Sequence, residues 1–316
     1  MFGPLAGACH YASKLKTEKH RSICSVHHFL LSLSMTLIPE IRPGQSLELL
    51  KELHILTREG KLNQDTRRKL KQVYHLYQFI EPLLKSSEQN DHQVVLVDHG
   101  AGKSYLGFIL YDLFFKGKEL GEVIGIESRI ELIEKSRSLA QKLGFRKMKF
   151  LNDTVANSIE NKEIPDQVDI VTALHACDTA TDDAIRFGLL KKAKFMVLVP
   201  CCQAEMATIL RKGKGKNLGK SALTEIYRHA IHTREFGSHL TNVLRCLELE
   251  SRGYQVTVTE LIGWEHSMKN ELIIAEFKNL PGDHSRKRLE TILEEFDLGE
   301  MKQRFIQDRS TNSGPG

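Results

Sequence analysis

No stretch of the 316-residue chain stays apolar for the roughly 18 residues that a bilayer-spanning helix needs. The longest largely apolar run, FLLSLSMTLI at 29–38, stops at ten residues. It follows basic and histidine residues, as in a secretory signal, but lies too far from the terminus and precedes no small-residue cleavage site. Cysteine is scarce too. Cys9, Cys24, Cys177, Cys201, Cys202 and Cys246 are too few for a disulfide framework. The adjacent pair Cys201–Cys202 suits thiols of a reducing compartment better than a structural bridge. These absences point to a cytoplasmic protein with no membrane partner. Paired CxxC spacing is missing, so Cys9, His10, His20, Cys24, His27 and His28 read as a weakly structured leader rather than a zinc module. No internal repeat is present.

What is present is ordinary globular material, 41% hydrophobic and 27% charged. The length allows one large domain with appendages or two modest ones, and a core that needs no covalent staples. The net charge of +5 is unevenly spread. Residues 1–90 carry 13 basic and 8 acidic side chains, residues 91–202 carry 15 and 16, residues 203–253 carry 9 and 5, and residues 254–316 carry 8 and 11. Excess positive charge therefore flanks a nearly neutral middle, as in proteins that handle a polyanion and also in ordinary basic proteins. The first 34 residues have weak periodicity and Met35 opens a more helix-like stretch, which raises Met35 as a translation start.

Helical spacing is visible over 46–58 and over 64–85, where Leu70, Val73, Leu76, Tyr77 and Ile80 share a face. The polar loop SSEQND at 86–91 follows, and the pattern then alternates strand and helix. Strand-like runs fall at 92–98, 121–127, 146–152, 168–175, 194–200, 254–263 and 271–279. Their near-continuous apolar character is that of strands buried on both faces. Helical patterns separate them at 103–116, 129–143, 179–192 and 221–252. This is an α/β arrangement with a mostly parallel sheet of seven strands. Only the short link GWEHSMKN joins the last two strands, which predicts an antiparallel terminal pair.

The sharpest local signal is VVLVDHGAGKSYLG at 94–107. Asp98 ends the strand, Gly100 and Gly102 make a turn open to a close-approaching ligand, and a helix is expected from about Lys103. The spacing GxxxxGK[ST] of a Walker phosphate loop is absent, and Ser104 stands near the place of the third glycine of a dinucleotide fingerprint. Glu127 closes the second strand 29 residues after Asp98, where a carboxylate can accept from both hydroxyls of a ribose. Asp153 follows the third strand and can accept from an exocyclic amine. Three acids thus line the carboxyl ends of consecutive strands, where open α/β sheets bind ligands.

DHGAGKSYLG, LHACDTATDDAI after the fourth strand, PCC after the fifth and EHSMKNELIIA near the end together resemble class I S-adenosylmethionine-dependent methyltransferases. More narrowly, they resemble the methyltransferase-domain family that includes the glutathione S-transferase C-terminal domain-containing proteins. The resemblance covers roughly residues 65–280. It implies a Rossmann-like fold with an N-terminal helical extension and S-adenosyl-L-methionine as cofactor. Asp98, Gly100 and Gly102 would lie around its methionine portion, Glu127 on the ribose and Asp153 near the adenine, with Ala101, Ser128 and Thr154 beside them. The implied organisation is a leader (1–45), a helical cap (46–90), the cofactor-binding domain (91–280, with an insert at 203–253) and a C-terminal helix and tail (281–316).

Acceptor chemistry is expected where the fourth and fifth strands end, at His175, Cys177, Asp178, Cys201 and Cys202. Two routes are open. Cysteines at comparable places in RNA 5-methylcytosine enzymes attack the base, and a thiolate is the right nucleophile for that carbon. LHACD lacks their proline-cysteine step, however. In non-covalent N- or O-methylation, His175 or Asp178 would orient the acceptor or take its proton, and the cysteines would shape a pocket. A metal site from His175, Cys177, Cys201 and Cys202 matches no zinc spacing, so none is expected. The run RKGKGKNLGK at 211–220 places Arg211, Lys212, Lys214 and Lys216 close after the fifth strand, where they can track a phosphate backbone. The expected acceptor is nucleic acid, RNA foremost, with a protein, a small molecule, or a binding protein without catalysis as the alternatives.

Overall fold

The computed structural model describes residues 40–88, 92–174, 179–200, 204–213, 222–261 and 271–306. Contacts divide the chain into two units, Met1–Gln45 and Ser46–Gly316. In the first, the described residues 40–45 include a turn in which the Gln45 N–H donates to the Arg42 carbonyl at 3.2 Å. Met35 and the Cys/His leader lie outside the described residues.

The second unit is built on one sheet. Its strands are β1 (Val95–His99), β2 (Glu122–Glu127), β3 (Met148–Asn152), β4 (Ile170–Leu174), β5 (Phe195–Val199), β6 (Tyr254–Glu260) and β7 (Glu271–Phe277), in the order β3-β2-β1-β4-β5-β7-β6. The first five are mutually parallel; β7 runs antiparallel to β5, and β6 antiparallel to β7. Every residue of β1, β2 and β5 is buried, as their unbroken apolar sequences require. The expected Rossmann-like methyltransferase sheet and its antiparallel ending are therefore present.

The helices are α1 (Leu47–Glu52), α2 (Gln64–Ser87), α3 (Tyr105–Leu110), α4 (Ile130–Lys142), α5 (Val155–Ser158), α6 (Ala180–Leu190), α7 (Glu205–Gly213), α8 (Ala230–Ser251), α9 (Asp283–Glu295) and α10 (Lys302–Phe305). Side chains alternate across a strand, so Val95, Val97 and His99 share one face of the sheet while Leu96 and Asp98 share the other. The first face packs through Ile124, Ile126, Val171 and Ala173 against Ala184, Ile185 and Phe187 of α6. On the other, Gly107 of α3 lies so close that an added Cβ would stand 3.6 Å from both Asp98 Oδ2 and Val123 Cγ1. A second core joins α7, α8, α9 and α10 through Met206, Leu210, Leu240, Leu244, Leu289, Leu293 and Phe305.

Three boundaries differ from the sequence pattern. Helix α1 ends at Glu52 rather than 58, because His54 takes a left-handed φ of 56° and a turn closes from Gly60 N–H to the Thr57 carbonyl at 2.9 Å. Helix α3 starts at Tyr105 rather than Lys103, because Ser104 also lies at positive φ (51°), and it continues as a π-helical turn over Tyr111–Phe115. The expected 221–252 helix is two pieces, a 3₁₀ turn (Ala222–Tyr227) and α8. His229 is extended between them, and the buried Thr233 hydroxyl donates to the Ile226 and His229 carbonyls at 3.3 and 3.2 Å. That side chain serves carbonyls near the break that a continuous helix would satisfy with its backbone.

Candidate active site

At the carboxyl end of β1 the chain turns through Gly100 (φ 63°), Ala101 and Gly102 (φ 56°). Both conformations favour glycine, and among the described residues no atom lies within 4 Å of the place of a Gly100 Cβ. The turn is anchored to β2 twice: the Ala101 N–H donates to the Ile126 carbonyl at 3.1 Å, and the Gly102 N–H to Glu127 Oε2 at 2.8 Å. Beyond β2, the Asn152 amide donates to the carbonyls of Glu127 and Ser128 at 3.1 and 2.8 Å, tying the end of β3 to the same place. Asp153 Oδ1 accepts from the Thr154 N–H at 2.8 Å, and the Thr154 hydroxyl caps α5 by accepting from Asn157 N–H. The structure thus brings Asp98, Gly100, Ala101, Gly102, Glu127, Ser128, Asp153 and Thr154 to one edge, at the ends of three adjacent strands.

Asp98 and Glu127 sit in opposite electrostatic surroundings. The Asp98 carboxylate is turned into the protein, where it accepts from the Thr172 hydroxyl at 2.7 Å across the β1–β4 register. Burial pushes its pKa up to about 7, against the pull of that hydrogen bond. Asp98 is thus tied through its side chain to Thr172 of β4. Glu127 is also removed from water, which alone would raise its pKa. Hydrogen bonds from the Arg129 side chain and from the Arg129 and Gly102 amides outweigh burial and hold the carboxyl below its usual range. Arg129 Nε lies 2.9 Å from Oε1 and Nη2 3.1 Å from Oε2. This guanidinium covers both oxygens that the sequence reading assigns to a ribose, yet its own side chain is 60% exposed and free to be exchanged.

His99, beside Asp98, points to the opposite face. Its ring is fully buried, meets Phe187 edge-on with centroids 4.3 Å apart, and has no hydrogen-bond partner at either nitrogen among the described residues. Burial lowers its pKa to about 3 and keeps it neutral.

Sequence reasoning missed Arg129, Thr172 and His99. The signal for the first was the tripeptide Glu127-Ser128-Arg129, in which a cation follows the strand-ending acid within reach of its carboxylate. On the acceptor side, His175, Cys177, Asp178, Cys201, Cys202, Lys214 and Lys216 lie outside the described residues. Arg211 and Lys212 are exposed in the last turn of α7. Among the described residues no group of His, Cys, Asp and Glu could hold a metal ion. A cavity of 670 Å³ lies alongside the glycine turn, between α1 and α4, and is lined by His54, Lys103, Tyr105 and Lys135 among others. It includes none of the three strand-ending acids.

Residues 68–209 match the family model described as a methyltransferase domain. No curated protein matches the chain. Among solved structures, it is similar to the Podospora anserina methyltransferase PaMTH1 bound to S-adenosyl-homocysteine (11% identity, TM-score 0.43, 88% of this chain and 100% of that one). It is also similar to M. capricolum TrmK with S-adenosyl-homocysteine (11%, 0.38, 66% and 73%). A third is a precorrin-6y C5,15-methyltransferase from Geobacter metallireducens (16%, 0.35, 63% and 88%). Likeness at this level carries no argument about substrate.

The match shows a methyltransferase domain over residues 68–209, a little under half of the chain. The residues present fit S-adenosyl-L-methionine, the cofactor that the sequence resemblance implies. Among the described residues the glycine turn leaves space beside Gly100, Glu127 ends β2 with a carboxyl held below its usual pKa range, and Asp153 follows β3. Among the described residues, no helix is long and apolar enough to cross a membrane.

Proposed function

We propose that this protein is an S-adenosylmethionine-dependent methyltransferase that acts on a nucleic-acid acceptor, RNA before DNA, in a reducing, cytoplasmic compartment. The carrying observation is a basic surface after β5. Arg211 Nη2 donates to the Ala230 carbonyl at 3.2 Å, which joins the end of α7 to the start of α8. Arg211, Lys212, Arg228, His229 and His232 are all exposed there, and the run RKGKGKNLGK adds Lys214 and Lys216 in sequence. Clustered Lys and Arg of this kind meet phosphates without reading sequence.

When bound, the cofactor supplies a methyl group on a sulfonium, an electrophile whose leaving group is already good. The protein's task is then chiefly positioning. The amides and open space of the Gly100–Gly102 turn would hold the methionine portion, Glu127 would accept from the ribose hydroxyls after exchanging Arg129, and Asp153 would serve the adenine. A base is needed only where the acceptor atom carries a proton. His175 and Asp178 are assigned that duty, and Cys177, Cys201 and Cys202 follow β4 and β5 in sequence. The narrower resemblance to the family with glutathione S-transferase C-terminal domain-containing members leaves the acceptor class open.

Labelled S-adenosylmethionine with fractionated cell extract tests this reading. Expected is nuclease-sensitive label in RNA, and RNA binding that weakens steeply with salt, with log K falling by about 0.7 per phosphate contact per log unit of salt. Label confined to protein or small molecules, or no RNA binding at low salt, would overturn it.

A further inference from the structure

The sheet has two edges, and they are treated differently. At one, the five-residue β3 carries the exposed Lys149, and the Arg137 guanidinium donates to the Phe150 carbonyl through Nε at 3.2 Å and Nη2 at 2.6 Å. A lysine and a covered carbonyl are ordinary means of keeping foreign strands off an edge. At the other, β6 runs for seven residues and, among the described residues, pairs on one side only, with β7. Its pairing is one to one throughout, so no bulge twists the edge away. The strand sequence YQVTVTE holds neither lysine nor proline, and its one charge, Glu260, is the last residue.

The direction of the backbone groups on this edge follows from two hydrogen bonds. The Lys278 N–H donates to the Gly253 carbonyl at 3.1 Å, so Gly253 faces the β7 side. The Phe277 N–H donates to the Lys194 carbonyl at 2.8 Å, so Phe277 faces β5 and the residue opposite it, Tyr254, faces outward. The alternation of an antiparallel ladder then turns the N–H and C=O groups of Tyr254, Val256, Val258 and Glu260 outward, and those of Gln255, Thr257 and Thr259 to β7. Side chains alternate too. Tyr254 lies in the core shared with Ala184 of α6 and Leu249 of α8, and Val256 packs against it. Val258, in the same row, is 50% exposed. Gln255 and Thr257 are exposed on the other face.

We propose that β6 is an assembly surface on which a second copy of this chain pairs, antiparallel and about a twofold axis at Thr257, to continue the sheet across both subunits. A hydrogen-bonded pairing must oppose residues whose backbone groups face outward. With Thr257 on the axis, Val256 faces Val258 of the other copy and Tyr254 faces its Glu260, so the whole strand is used. Each exposed Val258 then lies beside a Val256 already packed on the core, which extends the apolar row across the axis. Thr257 faces Thr257 and Gln255 faces Thr259, polar pairs that suit the other face. No acid of β6 faces an acid of the second β6. A second copy meets all these demands by symmetry alone, and pairing β6 with β6 closes the assembly at two because the β3 edge is guarded. The inference is independent of the activity proposed above.

Sedimentation equilibrium of the full chain tests it. One strand pair makes a small interface, so the range to scan is about 1 to 200 μM. Over that range the wild type should move from 36.0 kDa towards twice that mass. Thr257→Lys and Thr257→Glu change an exposed side chain and set like charges face to face on the axis, so each alone should weaken the dimer at least about tenfold. Mixed in equal amounts, the two variants should associate again, because lysine then faces glutamate. In hydrogen exchange of the wild type, the amides of Val256 and Val258 should slow as concentration rises, while those of Thr257 and Thr259, already bonded to β7, should not change.

A wild type that stays at 36.0 kDa throughout, variants that dimerise as well as the wild type, or a mixture that stays monomeric would overturn the inference. So would concentration-dependent protection that leaves Val256 and Val258 untouched.

Discussion

Replacing Asp98 with asparagine should stabilise the protein at neutral pH and hardly affect it in acid. The carboxyl has an ordinary pKa of 3.8 and is pushed up to about 7 by burial, with only the Thr172 hydroxyl working the other way. Below about pH 4 both the folded and unfolded states carry it protonated, and it contributes no pH-dependent difference. As pH rises from there the unfolded chain loses the proton first, so the native state grows less stable by about 1.4 kcal/mol per pH unit. The loss is complete above pH 7, where it amounts to about 4 kcal/mol on the linkage relation. Asparagine removes this penalty and keeps the acceptor for Thr172. Its amide would occupy the place of Oδ2, in the neighbourhood of Ser104 Oγ, a buried atom without a partner among the described residues. Oδ2 and that Oγ lie 3.6 and 2.5 Å from the point where a Cβ on Gly107 would stand. The expected gain is therefore about 2 to 4 kcal/mol at pH 8, after some loss to imperfect hydrogen bonding. Urea unfolding from pH 4.5 to 8.5, with equal m-values for the two proteins, measures it directly. A difference that does not vary with pH, or a wild type that is more stable at pH 8, would refute the reasoning.

Glu127→Ala should remove the acceptor for the ribose and weaken S-adenosyl-homocysteine binding by roughly ten- to a hundredfold in calorimetry, as expected for lost hydrogen bonds to a charged group; retained binding would show that the ribose assignment is wrong. Arg129→Ala should do the opposite and tighten binding by about two- to fivefold at low salt, fading as salt rises, because an exposed ion pair is worth little. Weaker binding in that variant would mean that the guanidinium contacts the cofactor itself. Gly237→Ala would put a methyl 3.0 Å from the Ala207 backbone nitrogen, where α8 meets α7. Thermal unfolding should show a loss of about 1 to 3 kcal/mol from overpacking, and an unchanged Tm would show that the helices separate freely.

Much of the sheet was legible because strands buried on both faces must be apolar throughout, so runs such as VVLVD and FMVLV mark themselves. The three strand-ending acids were legible for a related reason: a carboxylate at the end of an apolar run has few roles inside a core. What those acids would touch was not. Glu127 is covered by a cation two residues away, and Asp98 turns inward to Thr172, a partner 74 residues distant that only the β1–β4 register brings near. The break before α8 hid because the apolar spacing continues across it, while the decisive contact is a buried Thr233 hydroxyl reaching Ile226 and His229. Arg245 was invisible in a different way. In sequence it is one more charge on a long helix, and only its partners on α6 and β7, reached directly and through Asn242, make it part of a buried strut.

Asp98 and His99 stand side by side in the chain but on opposite faces of the sheet, one kept protonated in mild acid and the other kept neutral. Between about pH 4 and 6.5 the folded chain holds one proton on this dipeptide, at Asp98, and the unfolded chain also holds one, at His99. Unfolding thus relocates a proton by one residue without taking any from the solvent. Each side chain alone would tilt the stability curve strongly, in opposite directions, and together they leave it level over that range. The level contribution of this dipeptide is the sum of two steep ones.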